Sequence, residues 1–164
     1  MVSAREVESE AVVEHRSGDF LISTDRARLD LNVVHGFLTN CYWAKGVPRE
    51  VVERSIRNSL CFGVYDSSGA QVGFTRVISD FATYAYICDV FVLESHRGRG
   101  LGKWLMQCIV EHPALQNLRR WTLATLDAHG LYAQVGFTPL QSPARYMERF
   151  RPDLYEQLRK EITS

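Results

Sequence analysis

The stretch Arg97-Gly98-Arg99-Gly100-Leu101-Gly102-Lys103 joins an apolar run over 84–93 to an amphipathic segment over 101–111. The run predicts a buried β-strand and the segment predicts an α-helix, so the glycine-rich stretch is the turn between them. Glycine leaves the backbone uncovered, and successive N–H groups at a helix N-terminus attract anions. The stretch therefore predicts a binding site for phosphate or pyrophosphate.

Two familiar phosphate-binding motifs do not fit the spacing of these glycines. A dinucleotide-binding fingerprint, G-x-G-x-x-G, counted from Gly98 would need a glycine at Lys103. A P-loop counted back from Gly102 would need a glycine at Arg97 and Ser or Thr at Trp104. The spacing of the glycines therefore argues against a nucleotide-binding α/β domain.

The composition limits the class of protein and the class of partner. The 164 residues are enough for one hydrophobic core, so we expect one domain over 1–164, with its core over 19–150 and a flexible arm or frayed helix over 1–15. Nineteen basic residues balance nineteen acidic ones, and no 18-residue apolar run exists to span a membrane. We expect neither a nucleic-acid nor a membrane partner, but a small or local one.

The four cysteines show no C-x-x-C spacing, and each stands in an apolar neighbourhood. This pattern predicts reduced, buried thiols in a cytoplasmic protein, with no zinc or other metal site and no disulfides. They are Cys41, Cys61, Cys88 and Cys108.

The spacing Arg97-x-x-Gly100-x-Gly102 resembles the R/Q-x-x-G-x-G/A signature of the GCN5-related N-acetyltransferase (GNAT) superfamily. A second similar element, Gly130-Leu131-Tyr132-Ala133-Gln134-Val135-Gly136-Phe137, follows about thirty residues later. The chain resembles a small, bacterial-type, single-domain member over about residues 19–150. The resemblance implies an α/β (α+β) fold, in which helices flank a mixed, mostly antiparallel sheet of about six or seven strands that splays at the acetyl-CoA strand.

Apolar periodicity and turn residues predict the order of the elements. Asp25 is expected to cap the first helix, and Pro48 to stand at the first position of the second. The predicted strands cover 20–23, 60–65, 71–78, 84–93, 121–126 and 146–150, and the predicted helices cover about 29–38, 48–57, 101–111, 128–134 and 152–164.

The resemblance implies that acetyl-CoA is the co-substrate. Backbone groups at Val90, Phe91 and Val92 would pair with the pantetheine arm, and the stretch from Arg97 to Lys103 would hold the pyrophosphate, which adds Gly98, Arg99, Gly100, Leu101 and Gly102 to the expected site. For Arg99 the alternative is a solvated charge. For Lys103 it is a stem that packs along the helix surface.

The resemblance also gives Tyr132 the role of general acid, which protonates the departing thiolate; the alternative is a packed aromatic ring. Asp89 is the only carboxylate in ten otherwise uncharged residues, and burial of an unpaired carboxylate is costly. In the diamine acetyltransferase branch two adjacent acidic residues stand here, but this chain has Cys88 before Asp89. Asp89 is expected either to position an ammonium ion or assist a water molecule, or to bond to the backbone. A covalent role for Cys88 is disfavoured because no histidine is near.

The acceptor pocket is the least defined part of the site. Aromatic residues between the first two helices and at the start of the predicted strand 84–93 either line it or belong to the core: Tyr42, Trp43 and Tyr84. His129 is either a base or a bystander, and Asp127 is expected to be the N-cap of the short helix rather than a base.

Two functional hypotheses follow from the resemblance. The first is an acetyl-CoA-dependent N-acetyltransferase that acts on a primary amine of a small molecule or on an exposed amino group, as a monomer or homodimer. The second is an acyl-CoA-binding sensor that keeps the fold without turnover. Neither the acceptor nor the general base can be named from these residues.

Overall fold

A computed structural model describes residues 11–164 and contains one six-stranded sheet. Neighbouring strands follow chain order: β1 Glu14–Ser17, β2 Phe20–Ser23, β3 Leu60–Tyr65, β4 Gln71–Ser79, β5 Tyr84–Val92 and β6 Arg120–Leu123. The first four pairings are antiparallel, and β6 pairs with β5 in parallel. The predicted mixed, mostly antiparallel sheet is confirmed.

Helices cover both faces of this sheet: α1 Leu31–Leu38, α2 Arg49–Arg57, α3 Leu101–Val110, α4 His129–Ala133 and α5 Leu154–Ile162. One core lies between the sheet and α3, where Phe62 and Ile87 pack with the fully buried Leu105. The second core lies on the side of α1 and α2, where Val34 packs with Phe74. Within residues 11–164 no helix combines the length and the apolar character needed to cross a membrane.

Two helices begin at residues other than those predicted. The carboxylate of Asp30 accepts the N–H groups of Asn32 and Val33, so Asp30 and not Asp25 caps α1. Asp25 instead caps a short 3-10 turn, Arg26–Arg28. Pro48 occupies the N-cap position of α2, one residue before the predicted place.

The ends of the chain contain the errors in element type. The predicted strand over 146–150 is wrong: this segment is irregular, and Met147 is 98% exposed. The prediction for 1–15 falls mainly on residues outside the described part, but its end is wrong because Glu14–Ser17 forms β1, paired to β2 through a turn at Gly18. The predicted C-terminal helix is confirmed as α5.

β5 has a partner on the β6 side along only part of its length. The pairing with β6 runs from Tyr84 to Ile87, so the backbone from Cys88 to Val92 has a free edge there. Beside this edge the β4–β5 register shifts, because Arg76 faces Cys88 while Phe74 faces Phe91. The sheet therefore opens at the end of β5, as the predicted splay requires.

Candidate active site

A cavity of about 560 Å³ opens where β5 leaves β6. Its walls come from the end of β5, the following turn, the start of α3, the start of α4 and the loop after α1. The structure thereby brings together most of the residues singled out from the sequence: Val90, Phe91, Val92, Arg97, Gly98, Gly100, Leu101, Gly102, Tyr132, Tyr42 and Trp43.

The start of α3 offers free backbone donors to one end of the cavity. Gly100 is the N-cap at φ 76°, and the first helical bond joins the N–H of Trp104 to the carbonyl of Gly100 at 3.0 Å. The N–H groups of Leu101, Gly102 and Lys103 consequently have no acceptor within the helix. A Cβ at Gly98 or Gly100 would meet no atom of the protein within 4 Å. Glycine is therefore required there for the left-handed backbone and for open space, not to relieve crowding.

Arg97 adds positive charge beside these donors. Its Nε donates to the carbonyl of Val92 at 3.0 Å, which anchors the guanidinium at the end of β5. Its terminal amino groups have no protein partner within residues 11–164. A guanidinium and three free N–H groups that converge on one space are suited to a pyrophosphate. The structure does not bring Arg99 or Lys103 into the cavity lining; both side chains are exposed.

Tyr132 lines the cavity from α4 and is only 8% exposed. Burial raises the pKa of Tyr132, and the proximity of Tyr42 and Asp127 raises it further. The hydroxyl therefore stays protonated at neutral pH and is able to donate a proton. The ring also packs edge-on against Phe137, with the centroids 6.2 Å apart, so the aromatic packing expected as the alternative is present at this residue.

Similarity to known proteins identifies the family of this chain. The family described as an acetyltransferase (GNAT) domain matches residues 57–139, which include the β5 edge, the glycine turn and Tyr132. The chain belongs to the GNAT superfamily. GNAT enzymes are acetyltransferases that use acetyl-CoA, and the free donors and the open β5 edge fit that co-substrate.

Several relatives of this GNAT chain carry informative names. A Gibberella zeae protein named "putative acetyltransferase" is 33% identical over 71% of this chain and 77% of its own. A crystal structure from Xanthomonas campestris pv. campestris, described as a putative acetyltransferase of the GNAT family, is 52% identical with a TM-score of 0.81, over 85% of this chain and 99% of that one. Spermidine N-acetyltransferase from Vibrio cholerae, in complex with CoA and spermine, is 17% identical with a TM-score of 0.58, over 74% and 82% of the two chains. At that identity it shows the fold alone.

Asp89 has a different environment from the one expected of a residue that binds an ammonium ion. Its Oδ2 accepts the Nε–H of Arg76 at 2.5 Å, and its Oδ1 accepts the indole N–H of Trp43 at 3.1 Å. The two ion-paired side chains are 11% and 18% exposed. Burial is the largest single influence on the pKa of Arg76 and lowers it. The charge and hydrogen bond of Asp89, together with the nearby Cys88 and Cys61, outweigh burial, so the net pKa is raised. Each carboxylate oxygen is thus occupied by a side-chain donor rather than by the backbone, and Arg76 neutralises the charge.

Two residues expected at the acceptor pocket lie elsewhere. Tyr84 begins β5, six residues before Val90, which at about 3.3 Å per residue places it about 20 Å away. Its hydroxyl is hydrogen-bonded to Oγ1 of Thr122. His129 is the exposed first residue of α4 and does not line the cavity. The assignment of these two side chains to the pocket is not supported by their positions.

The cysteine in β5 is unsuited to covalent catalysis. Burial raises the pKa of the Cys88 thiol to about 12, so the nucleophilic thiolate is scarce at neutral pH. Among residues 11–164 all four cysteines are free, and no cluster of three His, Cys, Asp or Glu side chains could hold a metal ion.

Asp127 is the most informative lining residue that the sequence did not assign to the site. The prediction that it caps α4 is wrong, because Ala128 stands at the N-cap position without a side-chain bond. The N–H of Ala128 instead donates to Oγ1 of Thr125 at 3.0 Å. Its position just past a strand was the available signal. The other unassigned lining residues are Phe37, Cys41, His96, Ala128 and Leu131.

A second cavity of about 680 Å³ lies between β6 and the segment 135–146. Although it is larger, its lining contains no carboxylate, histidine or cysteine, and Tyr146 is its one side chain able to act as a weak acid. Tyr132, Asp127 and the residues that carry the free N–H groups at 101 and 102 line the smaller cavity. We therefore assign the active site to the cavity between β5 and β6.

Proposed function

We propose that this GNAT protein transfers an acetyl group from acetyl-CoA directly to a primary amine, carried by a small molecule or by an exposed amino group. The observation that carries the proposal is the arrangement of one cavity, with an anion site at α3, a free backbone edge along β5 and a protonated hydroxyl on the largely buried Tyr132. Acetyl transfer to an amine needs these three functions in one place.

Different residues along the cavity bind different parts of acetyl-CoA or take part in the transfer. Arg97 and the N–H groups of Leu101, Gly102 and Lys103 hold the pyrophosphate. The edge of β5 at Val90 and Val92 hydrogen-bonds the pantetheine amides as a neighbouring strand would, although the carbonyl of Val92 also accepts the Nε–H of Arg97. Acetyl-CoA supplies the thioester carbonyl that the amine attacks. Tyr132 then donates its proton to the departing sulfur, while Cys88 takes no part.

The test is thiol release from acetyl-CoA in the presence of amines. We expect acetyl-CoA to raise the melting temperature, because a ligand that binds only the native state stabilises it. A panel of polyamines, aminoglycosides, amino acids and peptides with free N-termini should then contain an acceptor whose acetylated product is visible by mass spectrometry.

The outcomes distinguish enzyme from sensor. No heat by calorimetry and no thermal shift at millimolar acetyl-CoA would overturn the proposal entirely. Tight binding with no acetylated product from any amine class would favour the non-catalytic acyl-CoA sensor. Release of thiol without an acetylated amine would indicate hydrolysis instead of transfer.

A further inference from the structure

The charged residues that line the active-site cavity come from two different segments of the chain. His96 and Arg97 belong to the turn before α3, where the pyrophosphate is expected. Asp127 belongs to the turn before α4, the helix that carries Tyr132, and it is the only carboxylate among the described lining residues. Asp89 lies just behind this wall but is paired with Arg76 and Trp43. A positive charge that develops near Tyr132 therefore has Asp127 as its available counter-charge.

No structural role accounts for the Asp127 side chain. It makes no hydrogen bond or ion pair with any side chain or backbone group over 11–164, and it is exposed to the cavity. The turn into α4 is fixed without it, through Thr125 and Ala128. Asp89 shows the opposite pattern, since both of its oxygens are occupied.

Asp127 and Tyr132 face the same part of the cavity. They lie on one turn and the short helix α4 that follows it, and the charge of Asp127 is among the causes, after burial, that raise the pKa of Tyr132. Tyr42 and Trp43 also line the cavity, and they pack edge-on with ring centroids 5.1 Å apart. Aromatic faces and a carboxylate together favour a cation between them.

We propose that Asp127 is the catalytic base of the transfer, which stabilises the positive charge that develops on the attacking nitrogen and accepts its proton. This rests on the proposed function. A neutral amine forms the C–N bond at the thioester carbonyl, and its nitrogen becomes cationic and strongly acidic. Asp127 takes one N–H proton, the C–S bond breaks, and Tyr132 protonates the sulfur. Asp127 returns its proton to the Tyr132 oxygen, directly or through water, so both residues end as they began.

This role predicts where the acceptor nitrogen binds and which class of nucleophile reacts. The reacting nitrogen enters between Asp127 and the wall of Tyr42 and Trp43, away from the Arg76–Asp89 pair. An amine fits because its nitrogen turns cationic on attack and carries a proton to give up. A carboxylate nucleophile would be repelled by Asp127 and would have no such proton.

The first test compares Asp127→Asn with Asp19→Asn, the same chemical change at an exposed position in the turn between β1 and β2. We expect Asp127→Asn to lower kcat by about 10²–10⁴-fold, the usual contribution of a positioned base, with acetyl-CoA affinity within about twofold of wild type. Asp19→Asn should behave as wild type. Formate should partly restore turnover to Asp127→Ala but not to Tyr132→Phe, a response that a merely structural role would not produce.

The second test needs no acceptor and separates this inference from the proposed function. Ultraviolet titration should show a lower pKa for Tyr132 in Asp127→Asn than in wild type, identified by its loss in the double variant with Tyr132→Phe. An unchanged Tyr132 pKa would overturn the placement of Asp127 beside Tyr132. A wild-type rate in Asp127→Asn would overturn the base while leaving amine acetylation intact. A wild-type protein that acetylates no amine would overturn both.

Discussion

Replacement of Gly102 by Asp should weaken cofactor binding strongly without weakening the fold. Gly102 is the second residue of α3 and lines the phosphate end of the cavity. A Cβ there would lie 3.7 Å from the nearest heavy atom, on Leu131, which is an ordinary van der Waals contact. Gly98 and Gly100 are poorer probes, because their φ angles of 77° and 76° disfavour any other residue. Gly102 therefore allows a charge to be added without strain.

The expected changes in stability and in binding have opposite signs. Glycine inside a helix costs about 0.5–1 kcal/mol relative to alanine, and Asp recovers part of that. A carboxylate in the first turn gains about 0.3–1 kcal/mol from the helix dipole. The free energy of unfolding should rise by about 0.5–1.5 kcal/mol. A carboxylate within about 5 Å of a phosphate is repelled by about 3 kcal/mol at an effective dielectric constant of about 20, which weakens binding by about 100-fold.

Calorimetry with CoA and urea unfolding of the free protein measure the two effects. Gly102→Asn is the matched control, since it has the same shape without the charge, and it should bind CoA at least ten times more tightly than Gly102→Asp by about the same electrostatic argument. Equal affinities in Gly102→Asp and Gly102→Asn would refute the placement of the pyrophosphate at α3. A large loss of stability in Gly102→Asp would refute the statement that the fold leaves room there.

Three further predictions concern single side chains. Tyr132→Phe should keep acetyl-CoA affinity but lower kcat by about 10²–10⁴-fold; an unchanged rate in single-turnover experiments would remove Tyr132 as the acid. Asp89→Ala should lower the free energy of unfolding by about 2–4 kcal/mol in urea titrations, because it leaves the charge of Arg76 without a partner where the two side chains are only 11–18% exposed. A loss under about 1 kcal/mol would mean that the ion pair behaves like a surface pair. Burial, with a smaller effect of His15, lowers the pKa of the buried His112 ring. The neutral ring therefore stabilises the fold above the unfolded pKa of 6.5, and that stability is lost as pH falls through the folded pKa. Urea titrations between pH 5 and 8 should show a smaller decline in His112→Asn, and equal slopes would contradict the assignment.

The central strands were predictable because their signals are local. The runs at 20–23 and 60–65 match β2 and β3 residue for residue, since each apolar run is bounded by turn chemistry that ends a strand whatever the rest of the chain does. The same holds for α3, whose buried residues Leu101, Leu105 and Ile109 recur at helical spacing. The phosphate end of the site lies within this continuous stretch, so it could be predicted with it.

The errors lie where the outcome depends on distant partners. A strand needs an edge with which to pair. The segment 146–150 contains Tyr146, Met147 and Phe150 but pairs with no strand of the described sheet. β1 is polar and gave no apolar signal, yet it forms because β2 offers it an edge across the turn at Gly18. Asp25 and Asp30 are both competent caps in sequence, and the three-dimensional course of the chain decides between them.

The acceptor end of the site could not be predicted for the same reason. Asp89 stands 13 residues from Arg76 and 46 residues from Trp43 in the chain, so no spacing rule joins the three. A lone carboxylate in an apolar strand predicts that some group must satisfy it, and the prediction of an ammonium ion was one answer to that requirement. The fold supplies another, an arginine on the neighbouring strand. Because Asp89 is paired, Asp127 is the carboxylate among the described lining residues that is available for proton transfer.

The irregularity at Asp89 joins the fold to the site. Between the pairs Phe74–Phe91 and Arg76–Cys88, β4 has one residue and β5 has two, so β5 bulges at Asp89, whose φ of 57° is tolerated better by Asp than by most residues. The hydroxyl of Thr75 donates to the carbonyl of Cys88 at 3.1 Å and satisfies a group that the interrupted ladder would leave exposed. The bulge lets Asp89 reach Arg76, and it lies just beyond Ile87, where the pairing with β6 ends. One extra residue in β5 therefore neutralises a buried carboxylate at the same point where the strand frees its backbone for a ligand.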